Sequence, residues 1–207
     1  MSFGDDPSRL MRFILELRQE GITHARVLSA MERTPRPHYA PPHMEGLAMD
    51  DIALPLPHGE AMTKASTVAR MLAALDPQPN DIVLEVGTGS GYQSAVLSLL
   101  ARKVVTLDRW GDIVADARAH WGPARIMNIF AHVADGAQGW TADAPYDRII
   151  INAEVEDIPA ALLEQLKPGG VVVAALAGRI VRVKDGARTD LGPVQLPPLA
   201  EGLGQAN

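Results

Sequence analysis

Apolar positions change their spacing along this chain, and the change divides it into a helical N-terminal part and a longer alternating part. Leu10, Phe13, Ile14 and Leu17 recur at helical spacing before Gly21, and Val27, Leu28 and Met31 repeat the pattern before Pro35. Two short helices follow from that spacing. Residues 35–57 are rich in proline and mix histidines with acidic side chains. This composition opposes regular helix and predicts an extended, structured loop that builds a substrate wall. Ser66 or Thr67 is placed to cap a helix carrying Val68, Met71, Leu72 and Leu75, which stops at Asp76-Pro77.

From Asp81 the rhythm becomes strand, turn, helix. Short apolar runs at 82–86, 104–107, 130–133, 149–151 and 171–176 predict strands, and 93–100, 113–121 and 159–166 predict helices. The last of these helices is expected to end at Lys167-Pro168-Gly169-Gly170. Residues 179–194 alternate around Lys184-Asp185-Gly186 and predict a hairpin edge, with an irregular tail after Pro197. The order predicts an α/β fold, a Rossmann-like, mostly parallel, doubly wound sheet with an antiparallel edge and an N-terminal helical extension. One domain over 1–207 is expected, with 1–57 supplying helices and the substrate-side loop and 58–207 the core.

Composition narrows the chemistry. Of 207 residues, 47% are apolar, enough for a sizeable core without staples. The absence of cysteine excludes disulfides, a thiol nucleophile and Cys-ligated metal sites. No ligand pair stands at helical metal-binding spacing, so no metal is expected. A net charge of −6 argues against broad attraction to nucleic acid or anionic membrane. No uncharged apolar run reaches the roughly 20 residues that span a bilayer, and the first seven residues read as no secretion signal. A cytoplasmic monomer acting on small molecules or proteins is the expectation.

The first strand runs into Gly87-Thr88-Gly89-Ser90-Gly91, where the chain must turn sharply and let a ligand approach its backbone. A dinucleotide fingerprint requires glycine at the sixth place of this motif, which is Tyr92, and no Gly-Lys-Ser/Thr of a phosphate-binding loop follows. S-adenosyl-L-methionine carries no phosphate and suits backbone approach plus carboxylates. Glu85 precedes the loop, and Asp108 ends the second strand about 20 residues on, where an acid accepts both ribose hydroxyls. Arg109 adjoins it, Asp135-Gly136 follows the third strand on the adenine side, and Trp110 is a candidate adenine wall. Glu85, Gly87, Thr88, Gly89, Ser90, Asp108, Arg109, Asp135 and Gly136 are therefore the expected cofactor residues.

Longer segments carry a resemblance. They are Val27-Leu28-Ser29-Ala30-Met31-Glu32-Arg33-Thr34-Pro35-Arg36, Leu54-Pro55-Leu56-Pro57-His58-Gly59 and Leu84-Glu85-Val86-Gly87-Thr88-Gly89-Ser90-Gly91-Tyr92-Gln93. Asp135-Gly136, Gly139-Trp140, Ala144-Pro145-Tyr146-Asp147-Arg148-Ile149-Ile150, Leu163-Glu164-Gln165-Leu166-Lys167-Pro168-Gly169-Gly170 and Leu191-Gly192-Pro193-Val194 continue it. Over nearly its whole length the chain resembles the protein-L-isoaspartate O-methyltransferases. The resemblance implies methyl transfer from S-adenosylmethionine to the carboxylate of isoaspartyl residues in damaged proteins or peptides, which starts their return to aspartate through a succinimide. A carboxylate attacking a sulfonium methyl is already an adequate nucleophile, so such chemistry needs alignment and removal of water, with no general base or metal.

Two stretches leave that family's pattern. After His-Gly the family reads Gln-Thr-Ile-Ser-Gln-Pro, whereas this chain reads Glu60-Ala61-Met62-Thr63-Lys64-Ala65, so Thr63 falls on the serine that supplies a hydroxyl near the reacting groups. Thr63 either meets the acceptor or caps the helix that follows. After the fourth strand the family's Val-Thr-Ala-Ala is replaced by Ile151-Asn152-Ala153-Glu154. Thr63 is the expected catalytic residue, and His58, Lys64, Asn152 and Glu154 the expected substrate contacts. A Glu154 carboxylate facing the acceptor would repel an isoaspartyl carboxylate. If instead it points to solvent or pairs with Lys64, the acceptor is undisturbed. The alternatives to the repair enzyme are a relative that binds S-adenosylmethionine but acts on another acceptor or serves as a binding module, and an unrelated small-molecule methyltransferase.

Overall fold

The computed structural model describes residues 7–204. Residues 1–6, on which the reading of no secretion signal mainly rested, lie outside the described residues.

Helices α1 (Pro7–Gln19) and α2 (Ala25–Glu32) bury the stripes that the apolar spacing marks, among them Phe13, Leu17, Val27, Leu28 and Met31. His24 caps α2, its ring nitrogen accepting the Val27 N–H at 3.4 Å. The proline-rich stretch is irregular apart from short 3-10 turns and a hairpin of two-residue strands, β1 (Leu54–Pro55) and β2 (Ala61–Met62). Helix α3 (Ala65–Leu75) follows, capped differently from the expectation. Lys64 stands at its N-cap without a side-chain cap bond, and neither Thr63, Ser66 nor Thr67 fills that role. Asp51 does so from the preceding stretch, accepting the Ser66 N–H at 2.7 Å and its hydroxyl at 2.6 Å. A carboxylate against the first turn also satisfies the positive end of the helix dipole.

The alternating part supplies β3 (Ile82–Val86), α4 (Tyr92–Ser98), β4 (Lys103–Asp108), α5 (Gly111–Trp121), β5 (Ile129–Val133), β6 (Tyr146–Val155), α6 (Ala160–Glu164), β7 (Leu166–Leu176), β8 (Arg179–Lys184) and β9 (Ala187–Pro193). The sheet runs β5-β4-β3-β6-β7-β8-β9. Neighbours from β5 to β7 are parallel, and β8 and β9 return antiparallel as the expected hairpin edge. Along β3, Val83 faces one core and Leu84 the other; Val104 and Val105, then Ile150 and Ile149, divide in the same way. Strands buried on both faces thus read as unbroken apolar runs. The layers are unequal, with α1 to α5 contributing to one core and α6 to the other.

Two boundaries differ from the sequence reading. Strand β6 is longer than 149–151, and residues 166–170 open β7 instead of closing the preceding helix. The buried Gln165 accounts for this, since its amide accepts the Trp140 N–H and donates to Gln138 and Ala161, both at 2.8–2.9 Å, while its carbonyl accepts the Tyr146 N–H. Pinned there, Leu166 pairs with Tyr146, and after a register shift Val171 pairs with Arg148. Among the described residues no helix is long and apolar enough to cross a membrane.

Candidate active site

Sheet order reverses between β4 and β6 on either side of β3, and a crevice outside the C-terminal strand ends is the ordinary ligand site of such a sheet. The glycine loop sits there. Gly87 and Thr88 donate their N–H groups to the Leu107 carbonyl at 2.8 and 3.0 Å, which fastens the loop to the end of β4. Gly91 has φ +79°, and a Cβ there would come within 2.9 Å of the Trp121 ring, so glycine is required for both conformation and packing. Tyr92 is buried against Tyr39 and Arg36.

Glu85 does not face this crevice. It is fully buried, accepting hydrogen bonds from the hydroxyls of Ser94 and Thr106, the latter at 2.7 Å, and from the Asn152 amide at 3.3 Å. Burial pushes its carboxyl up to about 7, against the lowering effect of these donors. Glu85 is not brought to the crevice with most of the other expected cofactor residues. A side chain on the interior face of β3, covered by α4 and β4, ties the loop's two flanks together from behind.

Asp108 does face the crevice. Its Oδ2 accepts the Gly89 N–H at 3.0 Å and its Oδ1 the Trp110 N–H at 3.2 Å. Burial raises its pKa, and the N–H groups of Gly89, Trp110, Arg109 and Thr88 oppose that rise. Asp108 lines a cavity of about 660 Å³ together with Gly87, Thr88, Gly89 and Ser90. The same cavity is also lined by Glu60, Thr63, Lys64, Arg70 and residues 193–198. A smaller recess beside it is lined by Asp108, Arg109 and Gly136, where a Cβ on Gly136 would meet Val86 at 2.4 Å. Asp135 lines neither space, because its carboxylate caps the turn beyond it by accepting the Ala137 N–H at 3.0 Å. Trp110 likewise lines neither. Its ring stacks on His58 at 3.8 Å and lies against Gly204, where a Cβ would come within 2.3 Å of it.

The acceptor side separates the expected contacts. Thr63 is half-buried in the cavity wall, and exposed Lys64 lines the cavity 3.9 Å from Asp51. Asn152 also lines it, but its amide is committed to Gln93, Gly87 and Glu85, so it braces the glycine loop instead of reaching for an acceptor. His58 is bonded to Asp112 at 2.7 Å and stacked on Trp110, away from the cavity. Glu154 is the largest correction. Its Oε1 accepts the Gly178 N–H at 2.8 Å, in the turn between β7 and β8, and it neither lines the cavity nor meets Lys64. A register shift in β6 between Ile150 and Glu154 aims the side chain there.

Three contributors to the cavity went unread in the sequence. Glu60, in the sequence a departure from the family loop, lines it as well. Arg70 donates to the carbonyls of Pro193 and Leu191 at 2.8 and 3.0 Å and so ties the end of β9 to α3. The stretch around Pro197, beyond which the sequence predicts an irregular tail, pairs with β6, with Glu154 donating to Pro197 at 2.7 Å and Leu199 to Glu154 at 2.8 Å. The prolines there were the available signal, since a rigid extended segment suits a wall.

Comparison with known proteins shows which family the chain resembles. The model of the family described as protein-L-isoaspartate(D-aspartate) O-methyltransferase matches residues 8–188. Two relatives named protein-L-isoaspartate O-methyltransferase, from Paracoccus denitrificans and Xanthobacter autotrophicus, are each 46% identical. The alignments cover 97% of this chain in both cases, with 99% and 95% of the relatives. Among solved structures, a protein-L-isoaspartate O-methyltransferase superposes with a TM-score of 0.81 at 21% identity, over 94% of this chain and 67% of its own. A Plasmodium falciparum protein described in the same terms, in complex with S-adenosyl-L-homocysteine, gives 0.76 at 19% identity over 91% and 97%. These structures share the fold. With the family model spanning most of its length and relatives of this identity aligned end to end, the chain belongs to the protein-L-isoaspartate(D-aspartate) O-methyltransferase family.

Proposed function

We propose that this protein transfers a methyl group from S-adenosyl-L-methionine to the carboxylate of isoaspartyl residues in proteins and peptides. The observation that carries the reading is one continuous cavity lined both by Asp108 and the glycine loop and by Thr63 and Lys64. Its volume of about 660 Å³ lies within the range of small-molecule sites. The residues fit this cofactor: Gly87, Thr88, Gly89 and Ser90 offer backbone, Asp108 offers a carboxylate to the ribose, and Arg109 and Gly136 border the recess beside it. When bound, S-adenosylmethionine supplies a methyl group activated by its sulfonium.

The chain's own residues then position the acceptor. Lys64 places a positive charge at the cavity wall, and the Thr63 hydroxyl is available to orient an acceptor oxygen. The free α-carboxyl of an isoaspartyl residue is ionised near neutral pH, so no residue has to remove a proton. Residues 193–198 close one side and exclude water. With Glu154 turned to the Gly178 N–H, the departure after the fourth strand places no repelling charge beside the acceptor. A monomer in the cytoplasm, with a protein or peptide partner and neither nucleic acid nor membrane, completes the reading and rests on the sequence features above.

Transfer of labelled methyl to an isoaspartyl peptide and to its aspartyl twin tests it. Label on the isoaspartyl peptide alone is expected; equal labelling of both, or of neither, would overturn the assignment. In the same assay Thr63→Ala should bind S-adenosylhomocysteine normally and transfer methyl roughly 5- to 150-fold more slowly, for the loss of one hydrogen bond of about 1–3 kcal/mol.

A second outcome concerns Glu154. Glu154→Gln keeps an acceptor for Gly178 and should leave KM for the isoaspartyl peptide unchanged. A marked fall in KM would show that the carboxylate does oppose the substrate.

A further inference from the structure

Arg36 is 1% exposed, yet no carboxylate pairs with it among the described residues. Its Nε donates to the Ala48 carbonyl and its Nη2 to the Thr63 carbonyl, both at 2.8 Å. Nη1 is buried without a hydrogen-bond partner, and the guanidinium carbon lies 5.0 Å from the centroid of the Tyr92 ring. Thr63 and Tyr92 both line the cavity, so the guanidinium stands one layer behind its acceptor side. The nearby acid, Asp51, is spent on capping α3 through Ser66.

A buried charge without an ion-pair partner is costly, so retention here asks for a use. Two uses follow from the geometry. The bond to the Thr63 carbonyl fixes one peptide plane, and in a trans peptide this turns the Lys64 N–H away from Arg36. The side chain of Thr63 is thereby set in the wall. Second, a guanidinium stays protonated even when buried, and a charge with no carboxylate bonded to it, offset only through space by Asp51, acts across a low-dielectric layer.

We propose that Arg36 is a positioning residue for methyl transfer: it fixes the Thr63 backbone in the acceptor wall, and its unpaired charge behind that wall selects a carboxylate over a neutral acceptor. The inference rests on the carboxylate acceptor proposed above.

Two variants test it, Arg36→Met and Arg36→Lys, against an isoaspartyl peptide and a neutral peptide with isoasparagine at the same place. Binding of each peptide to the protein loaded with S-adenosylhomocysteine is measured by calorimetry, and transfer by the labelled-methyl assay. In Arg36→Met, affinity for the isoaspartyl peptide should fall roughly tenfold or more, as expected for loss of one charge across a low-dielectric wall. The neutral peptide and S-adenosylhomocysteine should bind within about twofold of the parent, as sites not sharing the charge behave independently. Equal weakening of the charged and neutral peptides would mark Arg36 as merely structural, and no weakening of either would remove it from the acceptor site. Arg36→Lys covers the case in which Arg36→Met does not fold. It should keep the preference for the charged peptide and lose kcat, since one ammonium cannot hold both carbonyls, and an unchanged kcat overturns the positioning role. Absence of transfer by the parent protein itself would strike the proposed function instead, while the two binding measurements would still report on Arg36.

Discussion

Asp108→Ala is expected to weaken S-adenosylhomocysteine binding by about 100- to 10,000-fold, the equivalent of two charge-assisted hydrogen bonds of roughly 1.5–3 kcal/mol each. The direction follows from where the side chain is held. Each oxygen already accepts one backbone N–H, from Gly89 and from Trp110, so the carboxylate is oriented before any ligand arrives, and it lines the cavity. Its loss also frees Gly89, which couples the ribose contact to the shape of the loop. Asp108→Asn separates the two effects, because it keeps the size of the side chain and removes the charge. Calorimetric titration reads both variants. A dissociation constant unchanged in Asp108→Ala would move the ribose away from the end of β4.

The second large effect belongs to Glu85 and appears in stability. Glu85→Leu would leave the Ser94 and Thr106 hydroxyls facing a carbon chain inside the protein, at a cost of about 1–3 kcal/mol for each donor left unpaired, while the Asn152 amide keeps its bond to the Gly87 carbonyl. Unfolding in urea should shift accordingly, and the glycine loop should lose cofactor affinity with it. The carboxyl also carries a pH signature. It is pushed up to about 7 from an ordinary 4.5, so between these values the folded state holds a proton that the unfolded chain has released. Stability from this group is therefore complete below pH 4.5 and lost as pH rises through 7, by roughly 3 kcal/mol for a change of this size. Glu85→Gln cannot titrate, and the difference between it and the parent, measured by urea unfolding at pH 5 and pH 8, isolates the contribution. Identical pH dependence in the two proteins would refute this account of the buried carboxyl.

Features decided by a few neighbouring residues were legible in the chain. Strand β3 shows as an apolar run because both faces of a central parallel strand are buried, and the loop shows as Gly87, Gly89 and Gly91 because left-handed backbone and close packing leave little choice of residue. Asp108 followed from its place at the end of the neighbouring strand. Glu85 did not, although it stands beside the loop. An acid before the glycines can face the ligand or the interior, and only Ser94 on α4 and Thr106 on β4 show which.

The acceptor side shows the same division more sharply. By itself the sequence determined the alternation of strands and helices, the glycine turn, the acid at the end of β4 and the departures at Thr63, Lys64 and Glu154. Only the tertiary structure decided what those departures do. Glu154 is aimed by a bulge and claimed by an N–H 24 residues further on, His58 is claimed by Trp110 and Asp112, and residues 193–198 become a wall through pairing with β6. The physical reason is common to all three. A side chain's direction at a strand end or in a loop is set by whichever partner satisfies it, and these partners come from distant parts of the chain that meet only when the sheet is assembled.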